Sequence, residues 1–233
     1  MRNTWFRKIF IALTAITLMI IIILGPFALY FFNTATYMEL YRQNQVTESI
    51  EKAHLEKITL NLIEFFKNKS EIIIYDPPGA APPFALQEIS HLKDVRVLTN
   101  WLLGVFYISV ALFAGSLVIL FFSNKAKFIR SAGWSLVTGT SLVMVLLVFL
   151  YLFSSNFMLL FEKFHQIFFP QGNYIFPGDS LLITLFPMGF FYQYFLKLIT
   201  ASGIIWMFSL LLGIILLKTE RIKKLWTKKE KTG

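Results

Sequence analysis

Four stretches of this sequence, residues 9–32, 101–122, 133–153 and 198–217, contain no Asp, Glu, Lys, Arg or His. Each holds roughly 20 residues or more, the number an α-helix needs to cross the ~30 Å hydrocarbon core of a bilayer. Four such runs in 233 residues leave little chain for a soluble core. The pattern predicts a membrane all-α fold of four transmembrane helices, with the remaining chain in two long loops, 33–100 and 154–197. The first run follows Arg2, Arg7 and Lys8. A signal peptide cleaved near Thr34-Ala35-Thr36 is the competing reading, but a run of roughly 24 residues is long for a signal and right for a span. Gly25-Pro26 is expected to kink that helix.

The formal charge of +9 sits beside the apolar runs. The segments before the first run, between the second and third, and after the fourth carry three, three and seven basic residues against two acidic ones. The loop 33–100 carries nine acidic and seven basic residues. Because basic residues accumulate on the cytoplasmic side, both termini are expected in the cytoplasm and both loops outside the plasma membrane, where they form an extracytoplasmic cap. No soluble basic domain is present to bind nucleic acid. With no cysteine, disulfides, thiolate metal sites and cysteine nucleophiles are excluded.

Within the cap, Val46 to Lys69 places Leu55, Ile58, Leu62 and Phe65 on one stripe of an amphipathic helix. His54 flanks the stripe and reads as a surface histidine. Ile72-Ile73-Ile74-Tyr75 is short and β-branched, which predicts a strand ended by Asp76-Pro77-Pro78-Gly79 and so an α+β cap. Leu86 to Val95 is helical again and runs toward the second span. A helix there puts Glu88 and Asp94 one turn either side of His91. Ser155 to Phe168 is read as an outward continuation of the third span, which sets Glu162 one turn before His165. Small residues four apart, Ala111/Gly115 and Ser135/Gly139, are candidates for close helix contact.

The spans lack ionisable groups, which argues against an ion-coupled transporter or a haem held between helices. Polar chemistry is therefore expected in the loops. The densest candidate is Phe164-His165-Gln166-Ile167-Phe168-Phe169-Pro170 with the turn Gln171-Gly172-Asn173 and the later Phe190-Phe191. A lone imidazole among so many rings is a candidate proton carrier. There is no His-Glu-x-x-His motif, no metal-spaced histidine pair and no Gly-x-Ser-x-Gly, so no metal site or cofactor is expected and no serine triad is indicated.

Glu88-Ile89-Ser90-His91-Leu92-Lys93-Asp94-Val95 just before the second span, together with Phe164-His165-Gln166-Ile167-Phe168-Phe169 after the third and Leu182-Ile183 and Phe186-Pro187 ahead of Phe190-Phe191, resembles the bacterial lipoprotein intramolecular transacylases (Lit). The likeness covers nearly the whole chain, with Tyr174 where a tryptophan is expected. It implies an acyltransferase that moves the sn-2 acyl chain of a diacylglyceryl-modified N-terminal cysteine onto that cysteine's own α-amine, giving a lyso-form lipoprotein. It also implies that His91 and His165 are the catalytic pair and that the partners are the diacylated lipoprotein N-terminus and membrane lipid; a monomer is expected.

The residue chemistry suits that reaction. An α-amine with a pKa near 8 must lose a proton to attack an ester. His165 is assigned as base and His91 as its partner in proton delivery or oxyanion stabilisation. Phe161, Phe164, Phe168, Phe169, Tyr174, Phe176, Phe190 and Phe191 are assigned to an aromatic wall that folds the substrate, and Glu88, Asp94 and Glu162 to orienting the imidazoles. Two other readings stay open on the residues alone: a non-catalytic membrane binding or assembly factor, and a metal-dependent lipid hydrolase at the outer face.

Overall fold

A computed structural model describes residues 2–70, 84–154 and 156–229. These residues are mostly helical and contain no strand. The strand expected over Ile72–Tyr75, and with it the β part of the α+β cap, lies outside the described residues, and every described element of the two loops is a helix or a turn. In chain order the helices are α1 (Arg2–Tyr30), α2 (Thr34–Gln43), α3 (Val46–Ser49), α4 (Lys52–Phe66), α5 (Leu86–Ser123), α6 (Phe128–Ser154), α7 (Phe157–Phe168), α8 (Leu181–Leu185) and α9 (Met188–Lys229), with a 3-10 turn at Lys125–Lys127.

Four helical stretches are long and apolar enough to cross a membrane: Thr4–Tyr30, Leu86–Ser123, Lys125–Phe153 and Met188–Thr219. They contain the second, third and fourth charge-free runs whole and the first as far as Tyr30, and each extends beyond its run at one end or both. Helix α5 is 38 residues long, or about 57 Å at 1.5 Å per residue, nearly twice the ~30 Å that hydrocarbon requires. Its charge-free part, 101–122, suffices to span. The first turns, with Glu88, His91, Lys93, Asp94 and Arg96, are surplus to that task. Helix α1 continues through Pro26 to Tyr30.

The chain divides into two compact units. The first is Met1–Pro26, Val105–Tyr151 and Ile199–Gly233. Leu18, Ile22 and Val143 are buried at its centre, with Phe113, Leu136, Ile205 and Trp206 packed around them. One of the two small-residue pairs makes the expected close approach: a Cβ at Gly139 would lie 2.8 Å from the Ala15 carbonyl oxygen, so only glycine lets these backbones meet. At Gly115 the same Cβ would meet nothing within 4 Å.

The second unit is Phe27–Gly104 and Leu152–Leu198. Its core joins Tyr37, Leu40 and Tyr41 of α2 to Leu55, Ile58, Leu62 and Phe65 of α4, and to Leu181, Leu182 and Leu185 of α8 and Phe190 of α9. The α4 stripe read from the sequence is thus the buried face of that helix, each such side chain contributing about 1.5–3 kcal/mol. His54 lies at the edge of α4, 3.8 Å from Glu51.

The third span does not run on into α7. Asn156 interrupts it, and its side chain accepts from Leu159 N–H at 3.3 Å as the N-cap of a new helix. The apolar periodicity hid this break, because Phe157 to Phe168 is itself helical; the legible signal was an asparagine three residues before Leu159.

Candidate active site

The site is assembled in the second unit from the first turns of α5, from α7, and from the loop 169–180. Helix α5 presents Gln87, Ser90, His91 and Asp94 at three- and four-residue spacing, hence on one face. That face holds the loop by side-chain hydrogen bonds. Gln87 Nε2 donates to the Ile175 carbonyl at 2.9 Å, and Asp94 Oδ2 accepts from Gln171 Nε2 at 2.7 Å and Asn173 Nδ2 at 2.6 Å. Asn173 Nδ2 also lies 3.3 Å from Ser90 Oγ. Gly172, between the two amides, has φ +74°, a left-handed conformation that glycine adopts without the penalty of a Cβ. That turn lets residues 171 and 173 both reach one carboxylate.

His91 and His165 lie together. Their rings stack at a centroid distance of 6.0 Å with 23° between planes, and they are only 6% and 7% exposed. Around them Phe169 and Phe176 lie 4.8 and 5.6 Å from His91, and Phe161, Tyr174, Phe164 and Phe169 lie 4.1, 4.9, 5.5 and 5.6 Å from His165. Phe191 joins through Phe161 at 5.0 Å and Phe168 through Phe164 at 4.8 Å. Phe190 packs elsewhere, in the core against Tyr41 at 5.6 Å and Tyr37 at 5.9 Å. The aromatic set assigned from sequence therefore divides into rings that touch an imidazole, rings one layer behind, and one core residue.

His165 Nδ1 lies 2.7 Å from the Phe161 carbonyl oxygen. A carbonyl only accepts, so Nδ1 carries the proton and Nε2 of the neutral ring has the free lone pair. Burial pushes the His165 imidazole below its ordinary pKa, partly offset by that hydrogen bond. Burial likewise lowers His91, and the neighbouring His165 adds to the shift, while Asn173 and Asp94 pull the other way. Both imidazoles are thus biased toward the neutral form that accepts a proton.

The three carboxylates assigned to orientation take different places. Glu88 is 2% exposed and accepts from Leu182 N–H at 2.8 Å and from Ala85 N–H. It closes the N-terminus of α5 in the manner of a capping box and ties it to α8. Glu162 is exposed and accepts from Gln166 Nε2 at 2.9 Å, while the Phe161 carbonyl is what holds the His165 ring. Asp94 alone faces the His91 neighbourhood, with Asn173 bonded to it. Sequence reasoning treated Gln171 and Asn173 as turn residues; two amides in a loop otherwise built of rings were the available signal. Among the described residues no three His, Asp or Glu side chains come together as a metal site.

The protein-family model for the lipoprotein intramolecular transacylase Lit matches residues 12–191. The chain belongs to the Lit family. The transacylase fold is also that of solved Lit structures. The in meso structure of the membrane integral lipoprotein intramolecular transacylase Lit from Bacillus cereus superposes with a TM-score of 0.77 at 16% identity, covering 94% of this chain and 99% of that one. A histidine-to-arginine variant of the Bacillus cereus protein gives a TM-score of 0.72 at 16% identity, covering 95% and 98%. A histidine-to-alanine variant gives 0.64 at 15%, covering 99% and 97%. No curated protein sequence matches the chain. Family and fold together make it a multi-pass membrane protein with lipoprotein intramolecular transacylase function, which decides against the binding-factor and metal-hydrolase readings.

Proposed function

We propose that this Lit transfers the sn-2 acyl chain from the glyceryl oxygen to the α-amine of the same lipidated cysteine, with His91 and His165 as its catalytic residues. The observation that carries this reading is the stacked pair of neutral-biased imidazoles inside an aromatic wall. His165 takes a proton from the amine through Nε2 as nitrogen attacks the ester carbonyl. The C–N bond forms, the bond from acyl carbon to the glyceryl oxygen breaks, and the same proton goes to that oxygen. Protons balance within one substrate molecule, so no enzyme nucleophile is required.

Phe161, Phe164, Phe169, Tyr174 and Phe176 surround the reacting groups, with Phe191 and Phe168 behind them. They exclude water and hold amine and ester together, an effect worth up to several kcal/mol. The distribution of basic residues supports cytoplasmic termini and an extracytoplasmic site in a bacterial plasma membrane. One chain carries both imidazoles, so a monomer suffices.

The test uses purified full-length protein and a synthetic diacylated lipopeptide, with acyl position followed by mass spectrometry. His165→Ala and His91→Ala are each expected to lower the rate by roughly 100- to 10,000-fold while the thermal unfolding transition stays cooperative. Full activity in both variants overturns the assignment.

A further inference from the structure

Asp94 and Asn173 fix more than the path of a loop. A carboxylate only accepts hydrogen bonds, so the Asn173 atom 2.6 Å from Asp94 Oδ2 is the NH2 group, and this settles the orientation of the amide. The same NH2 lies toward Ser90 Oγ at 3.3 Å. The carbonyl end, Oδ1, is then directed elsewhere. It is buried, and so is His91 Nδ1, and neither atom has a hydrogen-bond partner among the described residues. Asn173 is tied to Ser90 and Asp94, one residue before and three after His91 on α5, so both atoms belong to one cluster, and Asn173 favours the protonated His91 ring. One is an acceptor oxygen and the other a nitrogen that is able to carry a proton, so each fits the other's need.

From this geometry we infer that Asn173, held by Asp94, is a positioning residue that keeps His91 in the Nδ1–H tautomer, so that Nε2 works as a proton acceptor and donor toward substrate and not as a neutral oxyanion donor. The inference deepens the proposed function and depends on His91 being catalytic. It chooses between two roles. A neutral imidazole protonated at Nδ1 has no Nε2–H to offer an oxyanion, whereas it accepts a proton at Nε2 and returns it. His165 is held in the same tautomer by a backbone carbonyl, so the two rings present like atoms by different means: one fixed by its own helix, the other by a chain of side chains running from α5 through the loop and back. The groups near His91 on the packed elements are His165 of α7, Phe169, Asn173 and Phe176 of the loop, and Asp94 of its own helix.

The deciding experiment reads the tautomer directly. The chain has three histidines, so ring-15N-labelled full-length protein in lipid nanodiscs gives three imidazole signal sets, assigned with His54→Gln, His91→Gln and His165→Gln. At a pH where the rings are neutral, His91 is expected to show protonated Nδ1, the form less populated in free histidine. Asp94→Ala removes the acceptor that orients the Asn173 amide. It is expected to move His91 toward the Nε2–H form and to lower kcat by roughly 10- to 100-fold with KM nearly unchanged, and Asp94→Glu is expected to restore most of both. Observation of His91 as Nε2–H in the unaltered protein overturns the proposal. So does an unchanged tautomer in Asp94→Ala. Because the tautomer is read without turnover, it separates from the larger claim: activity surviving His91→Ala sinks the catalytic assignment whatever the tautomer.

Discussion

The two units satisfy their buried polar groups in different ways. In the first, hydroxyls bond back to their own helix: Thr17 to the Leu13 carbonyl, Ser135 to Ser131, Thr140 to Leu136. Few bonds cross between helices there, among them Thr14 to Ser116 and Trp206 Nε1 to the Thr140 carbonyl. In the second unit the buried or half-buried groups reach across the chain: Glu88 to Leu182, Asp94 to Gln171 and Asn173, Asn44 to Gln193. Back-bonded hydroxyls cost little to carry into hydrocarbon because their partner is always one turn away. Long-range bonds exist only once the fold is made, and each fixes an orientation. The contrast separates the part of the molecule that must only be stable in lipid from the part that must hold two rings in register.

That contrast is exposed to measurement. The largest stability effect is expected from Glu88→Ala, which leaves the buried Leu182 N–H and the Ala85 N–H without their acceptor and should cost about 2–4 kcal/mol. Thermal unfolding in a fixed detergent checks this, and Glu88→Gln, which keeps one acceptor oxygen, should lose less. A pH titration of the same transition comes next. His91 and His165 have native pKa values below the ordinary 6.5, so between the native values and 6.5 the unfolded chain binds more protons. Stability is then complete above about pH 6.5, declines as pH falls through that window, and stops declining on their account below the native values. Replacing both histidines with glutamine should flatten that limb; an unaltered limb would show that the rings are not buried neutral. The smallest effect is expected from Thr17→Ala in the first unit, about 0.5 kcal/mol, near the average for such bonds in membrane helices. If Thr17→Ala proved as damaging as Glu88→Ala, the distinction between local and long-range satisfaction would collapse.

Some of the site could be read before any coordinates. Period and pattern gave the α4 stripe, the helical character of residues 86–95, and two histidines set among rings. Capping chemistry was legible but unread: Glu88 three residues into a helix that follows a proline-rich stretch is an N-terminal clamp, and Asn156 marks where α7 begins. Glu162 and Glu88 were assigned to the imidazoles because helical spacing makes them neighbours. Spacing does not say whether a closer partner, Gln166 in one case and two backbone N–H groups in the other, will take the carboxylate first.

What the sequence determined by itself is the membrane fold: four charge-free runs of roughly 20 residues or more are the length of a spanning helix, which pairs every N–H and C=O within its own segment, and not the short alternating strands of a barrel. That requirement is local and additive, so it is written residue by residue. The tertiary structure alone decided that residues 91 and 165 stack, that Phe190 belongs to the core and Phe176 to the site, and that Asn173 is held by Asp94. These outcomes depend on an irregular loop with no period, turned by one left-handed glycine, whose polar ends find partners about 80 residues away; no propensity at either end encodes such a pairing.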